Sequence, residues 1–113
     1  MNFAVPISVT ESTTEATAVV TRISVSKGII RKIGVIFNSS ADYTTFVKAE
    51  YHNHPIFPSN QAGYYIGDGE TIYIEDVIPL QDHPFVITVK AWNTAGSANT
   101  VIFLLTVEPS GKE

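Results

Sequence analysis

The chain is expected to fold as a single antiparallel β-sandwich, immunoglobulin-like or jelly-roll-like, with an N-terminal extended arm. Three observations predict this all-β class. Apolar and polar residues alternate at period two through most of the chain, as half-buried strands require. β-branched and aromatic residues dominate those runs. No window holds apolar residues at helical spacing for three turns without a competing alternation. A chain of 113 residues suits one domain with one modest core. The expected division is residues 1–16 as arm and linker, 17–108 as the sandwich and 109–113 as a tail. A small barrel is the runner-up.

Taken in order, "MNFAVPISV" is an apolar segment with a proline, and the polar "TESTTEAT" tethers it. Such an arm can pair with a sheet edge of its own chain or of a neighbour. In "TAVVTRISVSKGIIRKIGVIF", Val19, Thr21, Ile23 and Val25 share one face. After "SKG", Ile33, Val35 and Phe37 resume it. A short Gly-containing connection between alternating runs predicts a β-hairpin, with Gly28 supplying a positive φ. Next, "YTTFVKAEY" sets Val47, Ala49 and Tyr51 opposite Phe46, Lys48 and Glu50. In "ETIYIEDV", Ile72 and Ile74 alternate with Tyr73 and Glu75. "IPLQDHP" reads as a connection because Pro79 and Pro84 lack the ladder donor.

The closing run is the strongest. "FVITVKAWN" puts Phe85, Ile87, Val89 and Ala91 on one face, with Val86, Thr88, Lys90 and Trp92 on the other. After "TAGSA", Val101, Phe103, Leu105 and Val107 face inward while Ile102 and Leu104 point out. Apolar residues on both faces predict a strand covered on both sides, by this chain or by a neighbouring subunit.

Composition narrows the function classes. Hydrophobic residues make up 44% and charged residues only 16%, against roughly 25% charged in an average domain. A neutral surface is either covered by partners or simply rich in Thr, Ser and Asn. Net charge is −4, without the basic footprint that nucleic acid demands. Positive charge gathers at Arg22, Lys27, Arg31 and Lys32, and negative charge at Asp68, Glu70, Glu75, Asp76 and Asp82. That separation would serve head-to-tail contact between subunits, though solvated strand faces account for it as well. No cysteine is present, which excludes a disulfide framework and a thiolate zinc site. No secretory leader is expected, and the longest apolar run, "VIFLL", is too short for a membrane helix.

Chemistry-bearing residues cluster in "HNHPIFPSNQAGYYIGDGETI". His52 and His54 would share a face on a strand, with Asp68, Glu70 or His83 as a third metal ligand. Pro55 disturbs that strand, so exposed loop histidines are the expectation. No nucleophile motif accompanies the histidines. The carboxylates Asp68, Glu70, Glu75 and Asp76 sit beside Gly67 and Gly69, where solvated side chains are expected rather than a catalytic pair or a calcium loop. "GDG" reads as a tight turn, since no helix follows it for a phosphate site. Asn38-Ser39-Ser40 is a lone glycosylation sequon. Pro55 and Pro58 stiffen the segment, and Asn60 and Asp68 favour Asx turns. The composition suits a preset loop, with no cofactor implied.

Two resemblances follow from quoted stretches. "FVITVKAWNTAGSANTVIFLLTV" resembles the last hairpin of immunoglobulin-like modules such as polycystic-kidney-disease and fibronectin type III domains. It covers Phe85–Val107 and implies a sandwich, not a ligand. Phe57, Pro58, Asn60, Gly63, Gly67, Asp68, Glu70, Thr71 and Ile72, with Trp92 and Asn93, are similar to a pattern in small all-β structural proteins of tailed phages. That resemblance implies a virion component, a capsid decoration or auxiliary protein, located in the virion and in the host cytoplasm during assembly.

The expected function is therefore non-enzymatic self-association and docking on a protein lattice, as a homo-oligomer partnered by capsid or like subunits, with no nucleic acid and no membrane. The expected contact residues are Phe3, Val5 and Ile7 of the arm, with Tyr64, Tyr65, Trp92, Ile102 and Leu104. The alternative is an adhesion or carbohydrate-binding module using Tyr64, Tyr65 and Trp92, because aromatics on strands and loops make sugar platforms or hot spots. A metal protein or enzyme built on His52 and His54 is the third option.

Overall fold

The computed structural model describes residues 2–14, 17–37, 44–52, 54–57, 63–80, 85–95 and 98–109, with only the backbone at Asp76. Among them run nine strands: β1 (Asn2–Val9), β2 (Val19–Ser24), β3 (Gly28–Phe37), β4 (Thr45–Tyr51), β5 (His54–Phe57), β6 (Tyr65–Ile66), β7 (Thr71–Leu80), β8 (Val86–Asn93) and β9 (Asn99–Pro109). A front sheet has the order β1-β9-β3-β7. A back sheet has the order β2-β8-β4-β5, with β6 also pairing β4. Every pairing is antiparallel.

The strand order differs from the expected pair of hairpins. β2 and β3 lie in opposite sheets, and so do β8 and β9. Each short connection arches across the core instead of turning within a sheet. Period-two alternation states which face is buried, and that requirement is the same for an arch and a hairpin. The pairs β1/β9, β2/β8, β3/β7 and β4/β5 nest like one long hairpin rolled over itself, which is the connectivity of a jelly roll. An immunoglobulin sandwich keeps its last two strands in one sheet, and this chain does not.

The inward faces follow the alternation. Ile30, Ile33, Val35 and Phe37 of β3 meet Val101, Phe103, Leu105 and Val107 of β9 within the front sheet. Val47 and Ala49 of β4 and Ile87, Val89 and Ala91 of β8 face them from the back sheet. All are fully buried or within 1% of it. Phe57 is buried too, with its ring 4.3 Å from Tyr65 and 6.1 Å from Phe103.

Residues 2–9, within the expected arm, form the edge strand β1. It pairs with β9 of the same chain from Asn2↔Thr106 to Val9↔Asn99, and Ile7 and Val9 enter the core. Pro79, expected in a connection, lies inside β7 opposite Ile29, and β7 is an edge strand, the place in a sheet where proline is tolerated. Gly28 does not take a positive φ. Among the described glycines that conformation belongs to Gly69 (φ 63°), in the turn before β7. At Gly28 a Cβ would collide with the Glu108 carbonyl on β9 instead.

A polar cluster ties one end of the sandwich together. Asn93, fully buried at the end of β8, is bonded twice to Thr13: Thr13 N donates to Asn93 O, and Asn93 N to the side-chain Thr13 Oγ1, both at 2.8 Å. The Asn93 Oδ1 accepts from Ala95 N at 2.9 Å and Thr44 Oγ1 at 3.4 Å. Asn99 Nδ2 donates to Thr45 Oγ1 at 3.1 Å. The cluster therefore joins the β1–β2 connection to the starts of β4 and β9. Asn93→Leu removes the acceptor and strands the Ala95 N–H, and is expected to cost about 1–3 kcal/mol in a urea titration.

Candidate functional site

Residues singled out in the sequence lie on three different surfaces. On the outer face of the front sheet, the pairings align side chains in rows across all four strands. Ala4 lies opposite Leu104, Leu104 opposite Gly34, and Gly34 opposite Tyr73. The next row is Pro6, Ile102, Ile36 and Thr71. Ile36, Ile102 and Leu104 are half-buried, and Tyr73 is 55% exposed. These rows form an apolar strip running the width of the sheet. Ile102 and Leu104 sit at its centre, as their outward phase predicts.

A polar row bounds the strip at one end: Asn2, Thr106, Lys32 and Glu75. Thr106 Oγ1 donates to Asn2 Oδ1 at 2.9 Å, and Lys32 Nζ lies 3.6 Å from Glu75 Oε2 and 5.3 Å from the Tyr73 ring centre. Beside it, a β-bulge between Ile30 and Lys32 turns both Arg31 and Lys32 toward solvent. Arg31 Nη2 reaches Glu108 Oε1 at 2.6 Å. Arg31, Lys32, Glu75 and Val77 line an open groove of about 370 Å³. The basic pair noted in the sequence is thus matched by carboxylates of its own chain. Exposed pairs of this kind contribute roughly 0–1 kcal/mol each.

The back sheet's outer face carries a second cluster. Phe46 and Trp92 are cross-strand partners with stacked rings 5.5 Å apart, and Tyr64 packs edge-on to both at 5.1 and 5.7 Å. Trp92 is only 5% exposed. Its out-of-phase position correctly placed it off the core face, yet neighbours on that face cover it. Tyr64 is 47% exposed, whereas Tyr65 turns inward against Phe57. Phe46 belongs to this cluster and went unmarked in the sequence; its outward phase beside Trp92 was the available signal.

The third surface is the inner side of β1. Phe3 and Val5 pack against the core at half burial, and Ile7 is 3% exposed. As placed, these three are internal contacts of the sandwich. His52 takes a positive φ (52°) in the turn between β4 and β5, with its ring 4.4 Å from that of Tyr51. His54 opens β5 opposite Tyr51. The pair therefore sits on a hairpin turn and not along one strand. No three potential ligands gather among the described residues. Asp68 and Glu70 line the turn before β7, where Asp68 N donates to Glu70 Oε1 at 3.3 Å. Met1, Pro58, Asn60, Asp82, His83, Pro84, the Asn38-Ser39-Ser40 sequon and the Asp76 side chain lie outside the described residues.

Of the residues expected to make contacts, the fold unites Ile102 with Leu104, and Tyr64 with Trp92. It keeps those two pairs on opposite faces of the sandwich. No family model matches the chain, nor does any curated protein or solved structure.

Proposed function

We propose that this chain is a non-enzymatic structural protein of a virion, a capsid decoration or auxiliary subunit, which self-associates and docks on a protein lattice through the outer face of its front sheet. One observation carries the binding reading: the row Ala4–Leu104–Gly34–Tyr73 runs across all four strands, and the apolar row Pro6–Ile102–Ile36 beside it crosses three and ends at Thr71 on the fourth. An apolar strip with a polar border has the anatomy of a protein interface. The low charge density of the chain accords with it. The virion assignment rests on the phage-like sequence pattern and on the recurrence of jelly rolls in viral shells, an analogy of fold that does not itself specify a partner.

The sugar-binding alternative draws less support. It needs an open aromatic face, and Trp92 lies between Phe46 and Tyr64 with little surface left.

The double variant I102D/L104D tests the interface. Both positions point away from the core, so circular dichroism and the melting transition should change little. In a closed apolar contact, each unpaired carboxylate is costly, and every 1.4 kcal/mol or so is a tenfold loss of affinity. Light scattering should show an associating wild type and a variant of clearly smaller associated mass. A wild type that remains a single chain at high concentration, or a variant that associates equally well, refutes the proposal.

A further inference from the structure

We propose that β1 is exchanged between two copies of this chain, each laying residues 2–9 along β9 of the other. The inference deepens the self-association reading by naming the partner, a second copy, and the element that passes between them.

Three observations support exchange. First, β1 is an edge strand that among the described residues bonds to β9 alone, in a continuous register of eight pairs. Ile7 and Val9 are buried, so some β1 must cover β9. The same contacts form whether it comes from the same chain or from a partner. The choice then falls to the connection.

Second, that connection is short and strained. Thr13 is fixed to the end of β8 by its paired bonds with Asn93. Ser12 N also donates to Ala95 O at 3.0 Å, so the hinge is left with Thr10 and Glu11 and that one backbone bond at Ser12, closed by Thr13 Oγ1 donating to Thr10 O at 3.0 Å. Ser12 takes φ 56° there, a left-handed conformation that costs a residue other than glycine. Extending the hinge toward a partner relieves that conformation at the loss of the Ser12–Ala95 bond to water, and strained short hinges favour exchange.

Third, Pro6 guards the free edge of β1. Proline in an edge strand has no N–H for an added strand. A neighbour is thereby discouraged from stacking outside β1, whereas replacing β1 in its own groove remains open.

Ser8 and Thr100 stand opposite each other, both exposed and outside the apolar strip. The chain contains no cysteine, so S8C/T100C supplies the only thiols, at the Cα separation of antiparallel neighbours that a disulfide spans. The variant is refolded over a range of concentrations, oxidised and run on a non-reducing gel. Exchange predicts a covalent dimer that grows with concentration and is absent from the S8C and T100C single variants. Adding S12G, which removes the cost of the left-handed hinge, should lower the dimer fraction severalfold. A disulfide confined to single chains at every concentration overturns the proposal, and an S12G variant with an undiminished dimer fraction overturns the hinge argument. The two readings fail separately. Association lost in I102D/L104D with only within-chain disulfides removes exchange and keeps the sheet face. Interchain disulfides in an I102D/L104D background whose associated mass equals that of the wild type do the reverse.

Discussion

Phe103→Ala is expected to destabilise the protein by about 3–5 kcal/mol, the range for removing a buried phenylalanine side chain. A domain has only about 5–15 kcal/mol in total, so the variant should unfold at a much lower urea concentration or fail to fold at ambient temperature. Phe103 is fully buried on β9, opposite Val5 on one side and Val35 on the other. Its ring meets Phe57 edge-on at 6.1 Å from the opposite sheet. Truncation would therefore open a void shared by both layers, and strands paired at fixed register cannot close it. A midpoint shift equivalent to less than about 1 kcal/mol would contradict the packing described here.

Gly34→Val should come next in size, by the opposite mechanism. A Cβ at Gly34 would lie 2.5 Å from Tyr73 Cβ and 2.7 Å from Ile72 O. Those atoms belong to the β7 backbone or sit directly on it, and no flexible side-chain end can yield. β7 would have to shift away from β3, at an overpacking cost of about 1–3 kcal/mol or more. Tyr73→Gly in the same chain removes the nearest atom but leaves the Ile72 carbonyl in place. The double variant should recover only part of the loss, a coupling that a thermodynamic cycle measures. Full recovery, or no loss in the single variant, would mean that β3 and β7 are not in this register. Because Gly34 and Tyr73 belong to the apolar strip, association should weaken as well.

The faces of the strands were legible in the sequence. Ile33, Val35 and Phe37, then Ile87, Val89 and Ala91, then Val101, Phe103, Leu105 and Val107 were each read as one inward row, and each is buried. Alternation is a local property, set by the two-residue repeat of the pleat. Partnership between strands is not local. Val25–Lys27 is as compatible with a hairpin turn as with an arch across the core, so β2 and β3 were expected side by side. Burial of an outward residue is equally non-local. Ile102 and Trp92 both sit off the core phase, yet Trp92 is covered because Phe46 stands opposite it and Tyr64 reaches over it. Nothing adjacent to Trp92 in the chain encodes that cover. Ile102 and Leu104 lie between β1 and β3, whose outward residues there are Ala, Pro, Gly and Ile, and these small or flat neighbours leave the strip open.

The nesting of strand pairs governs how the molecule comes into being. Asn2 must wait for Thr106, so during synthesis the earliest strand leaves the ribosome long before its companion exists. Among the described residues only β4 and β5 meet across a tight turn. Distant pairings slow folding, toward milliseconds to seconds for such topologies, and in that interval the apolar side of β1 has no home. A newly made β1 and a nearby sister chain on the same messenger would meet in that window.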